Sequence, residues 1–171
     1  MLRICSDFAK SHSLAFNPEK TQLIKFSRCS SPCLSEFTFC GQKLAFSQQV
    51  SHLGHILSRN LSDDDDILSV KRDMCQKANY MLYTFAPCDP YTKSRLLESF
   101  CMSLFGSALW FLSSSALRLL ETSFNNILRK IWSLPRHCHT APLHLLAGIS
   151  SIFKISQAYV ICLEVHLTRC C

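Results

Sequence analysis

At Ser62 the spacing of apolar residues changes, and this change constrains the fold more than any other feature. Before it, apolar runs are short and broken by turn residues. After it they recur at three and four residues, the period of an amphipathic helix. A chain with a β-textured first third and a helical remainder predicts an α+β architecture, with a small β-containing piece at 1–61 and a helical bundle at 62–171. The 171 residues suffice for one ordinary domain or two small pieces, and 48% hydrophobic against 18% charged is a composition that supports a core.

In the first part, Ile4, Cys5, Phe8 and Ala9 fall at helical spacing in an opening helix ending near Ser13. Leu23–Phe26 reads as a strand, Phe37–Phe46 as a hairpin turning at Gly41-Gln42, and Gln49–Leu57 as a further strand. Ser27–Ser35 reads as a loop. In the second part, Ser62 and Asp65 have the spacing of a capping box, followed by a stripe of Ile67, Val70, Met74, Ala78, Met81 and Phe85. Asp89-Pro90 opens a helix lined by Leu97, Cys101, Leu104, Ala108 and Leu112. Another runs from about Ala116 to Trp132, with Leu120, Phe124, Ile127 and Ile131 inward and Pro135 as its stop. Thr140-Ala141-Pro142 opens a short helix closing at Gly148. Ser151 opens the last, with Ile152, Ile155, Tyr159 and Cys162 on one face.

The formal charge of +6, with pI near 8.8, suits a polyanionic partner without requiring one. Eleven cysteines with no apolar leader in Met1–Lys25 read as free thiols in a reducing compartment, so an intracellular location is expected, nuclear or cytoplasmic. Ser99–Leu117 lacks charge and is long enough to span a bilayer, but its six serines favour a buried helix, and no membrane association is expected.

Four segments carry a family resemblance. Leu14-Ala15-Phe16-Asn17-Pro18-Glu19-Lys20-Thr21 resembles the L-x-F/L-N-x-x-K-T segment of reverse transcriptases from retrotransposons without long terminal repeats, and His52-Leu53-Gly54 resembles their Y-L-G strand about thirty residues on. Phe105-Gly106-Ser107-Ala108-Leu109-Trp110 resembles a Y-G-S-x-x-W helix after the palm. Asn125, Arg129, Leu134-Pro135 and Thr140 to Leu143 resemble the N-x-x-x-R-x-x-x-x-L-P…T-x-x-L run further on. The resemblance implies the end of a palm, a primer-grip strand and a helical thumb. In the intact family the activity is RNA-templated DNA synthesis with Mg2+. The family's aromatic-Ala-Asp-Asp box lies upstream of Asn17, and Met1 begins after it, so the chain is expected to be inactive alone and to need no cofactor.

By that resemblance Lys20 lies near the incoming triphosphate, where a cation offsets developing charge. Without the upstream aspartates, the plainer reading of these residues is a turn begun by Asn17 with Lys20 solvated. His52, Leu53 and Gly54 would sit against the primer end, the glycine allowing close approach, or simply end a strand. Lys71, Arg72, Arg129, Lys130 and Arg136 are candidates for contact with the backbone of RNA or an RNA–DNA duplex. Lys71, Arg72 and Lys77 also suit an ordinary solvated face. A second functional class is a small helical module that binds nucleic acid or protein without catalysis.

Asp63–Asp66 fit helix capping better than a metal site, since successive helical residues point about 100° apart. Cys29, Cys33, Cys40, His137, Cys138 and His139 supply zinc-type ligands without paired spacing, and His52 and His55 face opposite sides of a regular strand. No metal site is expected. No Gly-x-Ser-x-Gly elbow is present.

Overall fold

The computed structural model describes residues 2–17, 20–26, 37–39, 42–104, 106–110 and 114–169. The chain is α+β and divides into two compact units, Met1–Ser62 and Asp63–Cys171, at the change of hydrophobic period.

The first unit opens with helix α1 (Leu2–Ser11), which closes at Ser13 in the left-handed region, φ 54°. Two antiparallel hairpins follow: β1 (Phe37–Phe39) with β2 (Gln42–Leu44), and β3 (Gln49–His52) with β4 (His55–Ser58). Three expectations are corrected here. Gln42 is not in a turn but pairs with Phe39; Gly41 lies outside the described residues, as does the loop read at Ser27–Ser35. Leu23–Phe26 is not a strand: it makes one bridge, Leu23 to Phe46, because Ser47 N–H donates to the Leu23 carbonyl and no ladder extends it. Gln49–Leu57 is not one strand but a hairpin, since Leu53 and Gly54 both adopt positive φ, 50° and 84°, reversing the chain. Of Ile4, Cys5, Phe8 and Ala9 on α1, only Ala9 is buried.

The second unit is helical. Helix α2 (Asp64–Thr84) buries Ile67, Met74, Ala78 and Met81 against α4 (Ser115–Ile131), whose Leu120, Phe124, Ile127 and Ile131 complete the centre of the core. Val70 packs at the edge, and Phe85 is exposed. Asp63, not Ser62, takes the cap position of α2, and it makes no side-chain cap bond. Helix α3 (Pro90–Leu96) starts as the Asp-Pro pair predicts: Asp89 accepts from Thr92 N–H at 3.0 Å. It does not continue to Leu112. It widens into a π-helical turn at Leu97–Cys101 and ends, and Gly106, φ 81°, redirects the chain into a 3-10 turn at Ser107–Leu109. Leu112 lies outside the described residues.

Helix α4 ends before Pro135, because Ser133 at φ 53° closes it and Leu134 N–H donates to the Arg129 carbonyl at 2.9 Å. Helix α5 (Thr140–Ala147) closes on left-handed Gly148, as its glycine predicts, and α6 (Ile152–Arg169) follows. On α6, Ile152 is buried and Ile155 packs on the core, but Tyr159 and Cys162 are exposed. No single helix among the described residues is long and apolar enough to cross a membrane. The bent pair Thr140–Ala147 and Ile152–Cys162 passes that test only together, across a 67° break.

Candidate nucleic-acid interface

The Asn-x-x-Lys-Thr segment folds on itself. Lys20 N–H donates to Asn17 Oδ1 at 3.3 Å, and the Thr21 hydroxyl donates to the Asn17 carbonyl at 2.8 Å. Asn and Thr at this spacing lock a turn that leaves Lys20 exposed. Pro18 and Glu19 lie outside the described residues.

His52, Leu53 and Gly54 form the tip of the β3–β4 hairpin. Leu53 is 80% exposed in a left-handed conformation that costs a residue with a Cβ about 1–2 kcal/mol. His52 and His55 do not face opposite sides. They are register partners across the turn, so their side chains leave one face of the hairpin. The turn, which the strand assumption missed, reverses their relation.

In the helical unit the cationic candidates separate. Arg129 is half-buried: its Nε and Nη2 donate to the Cys138 carbonyl at 3.3 and 2.9 Å, and Nη1 donates to Asn126 Oδ1 at 3.1 Å. The guanidinium thereby braces the connection between α4 and α5. Lys130 and Arg136 are exposed beside it. Lys71 is half-buried and Arg72 exposed on α2, where Lys77 pairs with Asp73 at 2.6 Å. The N-x-x-x-R and L-P motif therefore encodes a helix-to-helix joint, with cations on its outside.

The acidic run does not fit a Mg2+ site. Asp64 accepts from Ser114 Oγ at 2.6 Å, and buried Asp66 accepts from Trp110 Nε1 at 2.8 Å, so the two carboxylates are held by different partners. Among the described residues no group of three His, Cys, Asp or Glu side chains could hold a metal ion; Cys29, Cys33 and Cys40 lie outside them. The G-S-x-x-W motif, expected as a helix, is a left-handed glycine and a 3-10 turn that deliver Trp110 to Asp66.

Sequence reasoning missed one further cluster. Glu121 accepts from Ile152 N–H at 2.8 Å and lies 3.6 Å from His144 Nε2, while His144 Nδ1 lies 3.1 Å from the Ile149 carbonyl oxygen. Glu121, His144 and Ile149 border a cavity of about 550 Å³ that Thr140, Ser151 and Lys154 also line. Glu121 and Ile152 are thirty-one residues apart, and no local pattern announces the pair. Among the described residues two groups titrate away from their ordinary values. Hydrogen bonds from Thr92 hold the Asp89 carboxyl below 3.8, and burial pushes the Cys101 thiol above 9.0.

Comparison with protein-family models, with curated proteins and with solved structures returned no match.

Proposed function

We propose that this chain holds nucleic acid for a reverse transcriptase of the kind found in retrotransposons without long terminal repeats, as the end of its palm and its thumb. The observation that carries the reading is the β3–β4 tip: the residues resembling a primer grip, His52-Leu53-Gly54, form a tight turn with Leu53 exposed. Two features add support. The Asn17–Thr21 turn presents Lys20 outward, and Lys130 and Arg136 stand exposed on the α4–α5 joint. Polymerisation needs the family's paired aspartates, which these residues do not supply, so the chain's part is to position the primer end and grip the duplex backbone.

Primer extension and duplex binding test this together. With a primed RNA template, Mg2+ and deoxynucleoside triphosphates, the purified chain should extend nothing above background, yet bind an RNA–DNA duplex in a salt-dependent manner. Incorporation abolished by Lys20→Ala would show a catalytic centre and overturn the holding role; absence of duplex binding at low salt would overturn the family reading.

A further inference from the structure

Ser133 ends α4 in the left-handed region and stands exposed on the outside of the α4–α5 joint. Its backbone N–H donates to the Lys130 carbonyl at 3.3 Å, but among the described residues its hydroxyl has no hydrogen-bond partner. Lys130 lies three residues before it and Arg136 three after, both exposed. Arg129, four before, is committed to the Cys138 carbonyl and to Asn126. No Asp or Glu occurs in residues 122–163, which hold Arg129, Lys130, Arg136 and Lys154. An acceptor hydroxyl therefore sits in an acid-free cationic tract, on a connection from Ser133 to His139 that is neither helix nor strand.

We infer that Ser133 is a phosphorylation site for a serine kinase that selects basic substrates, and that a phosphate there cancels the charge of Lys130 and Arg136. Its consequence for duplex binding rests on the holding role above; the modification itself does not. Kinases discriminate substrates by charge pattern. A cleft lined by carboxylates attracts cations on either side of the acceptor and repels a substrate carboxylate, and this tract has cations on both sides and no carboxylate. In the transfer, Ser133 Oγ bonds to the γ-phosphorus of ATP and the bond from that phosphorus to the β-phosphate oxygen breaks. ADP leaves, and a carboxylate of the kinase takes the hydroxyl proton. The kinase needs the segment extended, so Leu134 N–H must leave the Arg129 carbonyl. A helix end opens at lower cost than a helix interior.

The charge change is local. A phosphoserine carries about −1.5 to −2 at pH 7, against one positive charge each on Lys130 and Arg136. Lys130 is one turn back along α4, at the spacing where helical side chains are neighbours. The phosphate would also stand at the negative end of the α4 dipole, which favours cations beside it. Pairing with Lys130 and Arg136 removes the two cations that would meet a duplex backbone. Ser13 provides an internal comparison. It too closes a helix at positive φ, 54°, with Lys10 three residues before it, but no cation stands three after and Asp7 lies six before.

The full chain, incubated with ATP, Mg2+ and the catalytic fragment of a basophilic serine kinase (protein kinase C), tests the site by mass spectrometry. Ser133 should be labelled faster than Ser13. K130A and R136A should each slow it by up to about fivefold, the range of an exposed ion pair. No label on Ser133, or an unchanged rate in the K130A/R136A double variant, overturns the site. Elution from heparin, a polyanion without bases, tests the effect of the charge. S133E should elute at lower salt than the native chain, and the shift should vanish in the K130A/R136A background. An equal shift in both backgrounds means diffuse repulsion and overturns the pairing. On an RNA–DNA duplex, S133E should flatten the log–log salt dependence by about 2. A native chain that binds no duplex rejects the holding role and leaves the labelling and heparin results to decide Ser133. All three side chains are exposed, so circular dichroism should show an unchanged fold in every variant.

Discussion

Trp110 donates its indole N–H to Asp66 across 2.8 Å, with both side chains almost completely buried. The bond ties the start of α2 to the segment entering α4, forty-four residues away. Ser114 on Asp64 ties the same two places a second time. Replacing Asp66 by Ala leaves a buried indole donor without this acceptor and should destabilise the helical unit by about 1–3 kcal/mol. Urea unfolding checks this. Asp65→Ala, at an exposed neighbouring position, is the control and should cost less.

Arg129 and Lys130 are adjacent but should behave differently. Arg129→Ala removes three hydrogen bonds that close the α4–α5 joint and should cost about 1–3 kcal/mol of stability. Lys130→Ala with Arg136→Ala should leave stability nearly unchanged. It should instead flatten the log–log salt dependence of duplex binding by about 2 if each cation meets one phosphate. An unaltered slope would mean that the duplex is held elsewhere.

Gly148 closes α5 at φ 64°, and a Cβ there would lie 2.5 Å from Arg95 Nη2, which donates to the Gly148 carbonyl at 3.1 Å. Gly148→Ala should therefore lower stability by about 1–2 kcal/mol for the left-handed backbone alone, with a further loss as Arg95 is displaced. In a double-mutant cycle with Arg95→Ala, the second part should vanish and the first persist.

Acid should act on α3 through Asp89. Hydrogen bonds from the Thr92 hydroxyl and backbone N–H hold its carboxyl below 3.8, so the carboxylate stabilises the folded state above that pH. The contribution is lost as pH falls through the lowered value. Asp89→Asn should be less sensitive than the native chain to pH falling below 3.8. A carboxyl titration followed by NMR reads the shift directly, and an Asp89 midpoint above 3.8 would reject it.

Thiol chemistry should separate the cysteines. Burial, aided by Asp73 and opposed by Lys77, raises the Cys101 thiol above 9.0, whereas Cys162 is exposed. In iodoacetamide at pH 8, mass spectrometry should find Cys162 alkylated well before Cys101. Equal rates would indicate that the π-helical turn opens readily.

Local rules wrote much of the helical unit in advance. Asp89-Pro90 capped α3, Gly148 closed α5, and α4 buried the positions its period marks, because capping and amphipathic spacing act over a single turn of chain. The Asn17–Thr21 turn was legible for the same reason. The tertiary structure decided what depends on distant partners. It paired His52 with His55 across a turn at Leu53, which reads as an ordinary strand residue until its φ is known. It broke the helix expected through Leu112 so that Trp110 could reach Asp66, turning one of four similar aspartates into a core tether. It also committed Arg129 to the fold and left Lys130 outside. Sequence spacing records which residues share a face of their own helix; it cannot record which carboxylate or carbonyl, forty-four or nine residues away, the fold will bring to them.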